Sequence, residues 1–187
     1  MLHVPISPPP GGLAMNRITV IQGQARVSPD PRFEFTTVLG SCVAACLYDA
    51  DVRVGGMNHF LLAKPAVSQA GTTIDEHYGV YLMEVLINGM LAQGARKHRL
   101  RAHLYGGANL HPGMMRIGSA NAAFAREFLQ REQIALIRED LGGDCARRVD
   151  FRPATGQVRC RRVERAQAPE PQPTSRPARG TGDVELF

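Results

Sequence analysis

The chain has 187 residues, 44% of them hydrophobic, and a formal net charge of +5, which supports one domain with a real core and ragged ends. No apolar run approaches the roughly 20 residues needed to span a bilayer, and the first residues lack the basic start and unbroken apolar stretch of a secretory signal. Cys42, Cys46, Cys145 and Cys160 are too few and too scattered for a disulfide scaffold, so the expected compartment is the cytoplasm, where thiols stay reduced.

Residues 1–15 read as an extended, proline-rich leader. Arg17-Ile18-Thr19-Val20-Ile21-Gln22-Gly23 is a predicted strand, and Phe33-Glu34-Phe35-Thr36 alternates apolar and polar as another. Leu39-Gly40-Ser41 makes a tight junction into a predicted hairpin from Cys42 to about Leu62, folded about the middle of Asp49-Ala50-Asp51-Val52. Its first arm is apolar on both faces, as a buried central strand requires.

A loop over residues 63–71 leads to a helix whose start is signalled by the capping-box pattern Thr73-Ile74-Asp75-Glu76. Leu82, Val85, Leu86 and Met90 recur at helical spacing, and Gly94 is a suitable stop. Arg99 to Leu104 alternates cleanly and predicts a strand with one polar face, ending in the loop Gly106-Gly107-Ala108-Asn109. Ser119 is placed to cap a second helix in which Phe124 and Phe128 share a face. Ile134 to Ile137 reads as a short buried strand, Gly142-Gly143 as a turn, and Arg148–Arg152 with Gln157–Val163 as a closing hairpin. Residues 16–165 thus form the predicted domain, and residues 166–187, rich in Pro, Arg, Gly and Ser, the predicted disordered tail. Strands outnumber helices and mostly join as hairpins, so the expected class is α+β, a layered sandwich with a mostly antiparallel or mixed sheet.

The positive charge rests on arginine, Lys64 and Lys97 being the only lysines. Basic residues gather at residues 96–101 and 147–165, read as solvated faces of strands and turns, or alternatively as a surface for an anionic partner. Nucleic acid is not the expected partner, because no aromatic residues interleave with the basic ones.

The hairpin carries the chemistry. Folded as above, it sets Cys42 opposite His59 on one face, with Cβ atoms about 5 Å apart. A thiol is nucleophilic only as thiolate, and a neighbouring imidazole is one standard means of ionising it. Cys42 follows Gly40-Ser41 at the open end of its strand, where backbone N–H groups left unpaired would serve an oxyanion. Cys46 lies on the same face with no base beside it and reads as a small core hydrophobe. A shared metal ion is disfavoured, since sulfurs at Cys42 and Cys46 on a strand stand roughly 13 Å apart, at about 3.3 Å per residue. Thr36, on the strand leading into the junction, is the residue expected to approach from an adjacent strand and accept the histidine N–H. Asn58 points to the opposite face.

Several separated motifs resemble the chemoreceptor glutamine deamidase family, CheD. They are Thr36-x5-Cys42, Leu39-Gly40-Ser41-Cys42-Val43-Ala44, Leu47-Tyr48-Asp49 and Gly55-Gly56-Met57-Asn58-His59. Further along they continue as Tyr105-Gly106-Gly107-Ala108-Asn109, Ile117-Gly118 with Asn121, Asp140-Leu141-Gly142-Gly143, and Val149-Asp150-Phe151 before Thr155-Gly156. The resemblance spans residues 16–163 or so. It implies a sandwich like that of bacterial toxin deamidases and a protein-glutamine glutaminase acting on methyl-accepting chemotaxis receptors. It also implies a catalytic set of Cys42, His59 and Thr36, with no cofactor and no metal. Thr37 carries a hydroxyl too, but the spacing to the cysteine favours Thr36. The alternatives are a non-catalytic adaptor that binds receptors or a CheC-type phosphatase, and a receptor methylesterase.

Overall fold

A computed structural model describes residues 14–65, 72–74, 76–110 and 117–163. The expected tail, nearly all of the expected leader, and Asp75 of the capping-box pattern lie outside these residues. The chain forms β1 (Asn16–Thr19), β2 (Gln24–Ser28), β3 (Phe33–Leu39), β4 (Val43–Asp49), β5 (Val54–His59), β6 (Ala63–Pro65), β7 (Thr72–Ile74) and helix α1 (Glu76–Ala92). There follow β8 (Arg101–Gly106), α2 (Ile117–Arg131), β9 (Ala135–Leu141), β10 (Ala146–Arg152) and β11 (Gln157–Val163).

Two mixed sheets and a helical layer stack on one another. One sheet has the order β1-β3-β10-β11 and the other β2-β5-β4-β8-β9, while β6 and β7 pair separately. Strand alternation in β4 shows why the layers hold. Val43, Ala45 and Leu47 turn toward the core with Leu82, Leu86, Phe124 and Phe128 of the helices. Ala44 and Cys46 turn the other way, toward Phe35, Leu39, Val149 and Phe151 of the facing sheet. The apolar run of β4 is therefore buried on both faces, as a central strand must be. No helix among the described residues is long and apolar enough to cross a membrane.

Several local expectations shift. The predicted strand over Arg17–Gly23 breaks after Thr19, and a second strand, β2, starts at Gln24 and pairs with β5. Helix α1 begins at Glu76, because Thr73 belongs to β7 and pairs with Lys64. Helix α2 begins at Ile117, two residues before Ser119, and its first-turn N–H at Ser119 is met by the Asn109 side chain at 3.3 Å. Strand β8 keeps the expected alternation, with Arg101, His103 and Tyr105 on one face and Ala102 and Leu104 on the other, but between β4 and β9 only Arg101 of its residues is exposed. Strand β9 is longer than expected and lies at the sheet edge, so Leu136 and Ile137 are exposed rather than buried. It runs parallel to β8, as the intervening helix α2 allows.

Candidate active site

The hairpin of β4 and β5 turns one residue later than its sequence suggests. Asp49 pairs with Val54, and Ala50 to Arg53 form the loop, Arg53 taking the left-handed conformation at φ 55°. The offset carries through the ladder, so Cys46 faces Met57 and Val43 bridges Phe60. His59 is therefore opposite Ala44, and Cys42 is its diagonal neighbour instead of its direct partner. A diagonal displacement of two residues keeps both side chains on one face, with Cα atoms about 7–8 Å apart. That face looks into the seam between the two sheets, where Cys42 packs against the second core.

No bulge forms at Gly55-Gly56; the two glycines pair regularly with Tyr48 and Leu47. The ladder instead opens one step from His59. The Ala45 N–H is taken by Asn58 Oδ1 at 2.9 Å, and Asn58 Nδ2 donates to the Leu82 carbonyl at 3.2 Å. Asn58 thus faces the helices, as its alternation with His59 predicts, and it ties the hairpin to α1.

Three residues from outside the hairpin set the histidine. Thr37 Oγ1 is 2.9 Å from His59 Nδ1 and donates its own proton to the Val20 carbonyl at 2.7 Å. The Val20 carbonyl is also 3.3 Å from Nδ1, and the Gly23 N–H holds the His59 carbonyl at 2.8 Å. With the threonine proton committed to Val20, Oγ1 has only lone pairs to offer the imidazole. Nδ1 is therefore the protonated nitrogen and Nε2 carries the lone pair. Nε2 is buried and has no hydrogen-bond partner among the described residues.

Thr36 does not take this place. Its hydroxyl donates to Asp150 Oδ1 at 2.7 Å and its carbonyl accepts the Val20 N–H at 2.9 Å. The reason is the pleat of β3: Phe35, Thr37 and Leu39 face the seam, and Thr36 faces the other side of its sheet. That alternation was available in the sequence, where Phe33, Phe35 and Leu39 mark the buried face and Thr37 falls in step with them.

Cys42 is half-buried, and its thiol donates to Gln22 Oε1 at 3.5 Å. Gln22 lies in the turn between β1 and β2, and no sequence pattern marks it. Burial pushes the Cys42 thiol up to about 12, its own backbone N–H opposing the shift. Burial likewise pushes His59 down to about 4, against the smaller effect of the Val20 carbonyl. Both groups are thus neutral near pH 7, with no charged side chain acting on either. Cys46 is fully buried, its thiol raised by the same desolvation.

The segment before the cysteine is held from behind. The Gly107 N–H donates to the Cys42 carbonyl at 2.7 Å and the Ala108 N–H to the Gly40 carbonyl at 2.9 Å. Gly106 has φ 107°, and a Cβ there would stand 2.2 Å from the Cys42 carbonyl oxygen, so this loop admits only glycine. Asn121, fully buried on α2, donates to the Ser41 carbonyl at 2.8 Å and accepts the Leu62 N–H at 2.9 Å. Neither the Ser41 nor the Cys42 N–H enters a backbone hydrogen bond among the described residues.

A layered α+β fold with a thiol and an oriented, neutral imidazole on one face has the parts of a thiol-dependent hydrolase site. Residues 61–162 match the family described as CheD chemotactic sensory transduction. A Zymomonas mobilis protein named "Probable chemoreceptor glutamine deamidase CheD" is 59% identical over 148 residues, covering 79% of this chain and 81% of its own. A Caulobacter protein of the same name is 47% identical over 175 residues, covering 91% and 93%. The chain belongs to the CheD family. Among solved structures, a Neisseria meningitidis protein of family DUF152 superposes with a TM-score of 0.45 at 11% identity, over 69% of this chain and 64% of the other.

Proposed function

We propose that this protein hydrolyses the side-chain amides of particular glutamines on methyl-accepting chemotaxis receptors, leaving glutamates. The relatives' names supply the reaction and the substrate class. The observation that carries the chemistry is the His59 ring: Nδ1 is anchored to Thr37, while Nε2 is left without a partner on the face that Cys42 shares.

In this mechanism His59 Nε2 takes the Cys42 proton as the sulfur attacks the glutamine Cδ. The resting pair is neutral, so ionisation accompanies attack instead of preceding it. The negative charge that develops on the amide oxygen is met by the Ser41 and Cys42 N–H groups. Collapse breaks the C–N bond, and His59 hands its proton to the departing ammonia. Water, deprotonated by the same nitrogen, then cleaves the thioester and restores the thiol. The step consumes one water and releases one ammonia, so thiol, imidazole and water suffice. Thr37 is the positioning residue in place of Thr36.

The protein works in the cytoplasm and meets the membrane only through its receptors. The test is mass spectrometry of a receptor cytoplasmic fragment incubated with the full chain. Deamidation adds about one mass unit for each glutamine converted, and Cys42→Ala and His59→Ala abolish the gain while remaining folded by circular dichroism. Loss of methyl groups from glutamyl esters would mark a methylesterase instead. Unchanged masses would leave an adaptor that only docks on receptors or on a CheC-type phosphatase. Full activity of Cys42→Ala would overturn the assignment.

A further inference from the structure

A cavity of about 530 Å³ lies beside strand β11, and none of Cys42, His59, Thr37 or Gln22 lines it. Arg17, Arg152, Arg159 and Arg161 come to it from the four-stranded sheet, Arg138 and His103 from the five-stranded one. Five guanidinium groups meet two carboxylates there, Glu34 and Asp150. Arg17 is paired with Glu34 at 2.5 Å and Arg161 with Asp150 at 2.9 Å, while Arg152 reaches Glu34 only at 3.7 Å. Arg138 and Arg159 have no carboxylate partner among the described residues. The lining therefore carries three positive charges that it does not balance.

Exposed arginines alone would be a solvated surface. The histidine makes the difference. His103 is 8% exposed, stacks on Tyr48 with ring centroids 5.3 Å apart, and has a buried Nδ1 with no hydrogen-bond partner. The ring itself lines the cavity, so the unbalanced guanidinium groups share it with a largely buried, titratable side chain. Tyr48, Tyr105, Arg138 and the Gly156 backbone are the groups that face or act on the ring.

We propose that this cavity binds a small, multiply charged anion bearing phosphate or carboxylate groups, held by Arg138, Arg159 and His103. The volume falls within the roughly 300–1,000 Å³ of small-molecule sites. The planar fork of arginine matches both oxyanion types in paired hydrogen bonds. His103 fits the same role. Burial and the nearby Arg138 hold its imidazole below the usual range, and a bound anion would oppose both and favour the protonated ring.

Calorimetry of the full chain with pyrophosphate and with citrate, in buffer of roughly 0.15 M ionic strength, tests the proposal. Saturable one-to-one binding of either probe is expected, and the better of the two identifies phosphate or carboxylate as the preferred group. Arg138→Gln and Arg159→Gln, both at exposed strand positions, should each weaken binding about tenfold or more, as loss of one charge-assisted hydrogen bond does. Arg148→Gln, exposed on β10 but outside the lining, should not. The His103 ring resonances should move on saturation and its titration shift upward. Binding of neither anion, equal weakening by Arg148→Gln, or unmoved His103 resonances would each overturn it.

Discussion

Thr37 Oγ1 and His59 Nδ1 stand 2.9 Å apart although they belong to different sheets, and the contact closes the seam between the layers at the candidate site. It makes a hydroxyl perform what a carboxylate does in many thiol and serine hydrolases. A neutral acceptor orients the ring without stabilising its charged form, which accords with an imidazole held well below its usual range.

Replacing Thr37 by Val removes the acceptor and leaves Nδ1 with the longer contact to Val20. Turnover should drop by about a hundredfold, within the range attributed to a well-placed general base, with KM little changed. Thr37→Ser should restore most of it. Thr36→Val should cost about 1–2 kcal/mol through its lost bond to Asp150, with turnover per folded molecule unaffected. Steady-state kinetics beside urea melts separate the two, and equal kinetic losses at both positions would refute the assignment of Thr37.

Acid should destabilise the protein through His59. The unfolded imidazole takes up a proton near 6.5 while the folded one resists until about 4. The unfolded state therefore binds more protons between those values, and stability falls as pH drops through that window. The loss reaches about 3 kcal/mol once pH is below the folded value, each tenfold difference in proton affinity between the two states contributing about 1.4 kcal/mol. Above 6.5 this contribution is flat. Urea midpoints at pH 7 and pH 4.5 should differ less in His59→Gln than in the parent chain, and the difference isolates the histidine from the carboxylates that also titrate.

The resting thiol should be sluggish. With Cys42 pushed up to about 12, alkylation by iodoacetamide at pH 7 should run at least about tenfold slower than that of a small free thiol, whose value is about 8.5. The rate should climb as pH is raised. Peptide mapping by mass spectrometry reads the site directly, and rapid alkylation at neutral pH would show a standing thiolate.

Asn121→Ala tests the support behind the proposed nucleophile. It strips a partner from both the Ser41 carbonyl and the buried Leu62 N–H, so about 2 kcal/mol of stability should go. Turnover should fall further than the folded fraction accounts for, because the Ser41–Cys42 segment loses its tether to α2.

The hairpin was legible because its information is local. Apolar arms, a polar break and strand alternation set Cys42 and His59 on one face, and the later turn moved the register by two residues without changing parity. Strand β2 alternates correctly, Ala25 and Val27 packing on the helix-side core between Gln24, Arg26 and Ser28, but five residues with two small apolar side chains make a weak local signal, and its place is set by pairing with β5. The exposed edge of β9 looked buried because Leu136 and Ile137 are apolar wherever they lie.

Strand periodicity and residue chemistry thus carry the candidate nucleophile, its candidate base and the α+β class from the amino-acid order alone, because neighbours along a hairpin meet through a short turn. The choice of Thr37 over Thr36, the Gln22 contact to the thiol and the Asn121 tether depend on stacking two sheets and a helix layer whose members are far apart in the chain. The protonation states depend on the same stacking. The residue types alone leave both groups titrating within about two pH units of neutrality; the removal of water from the seam between the layers moves the two values apart and keeps both groups neutral over a far wider range.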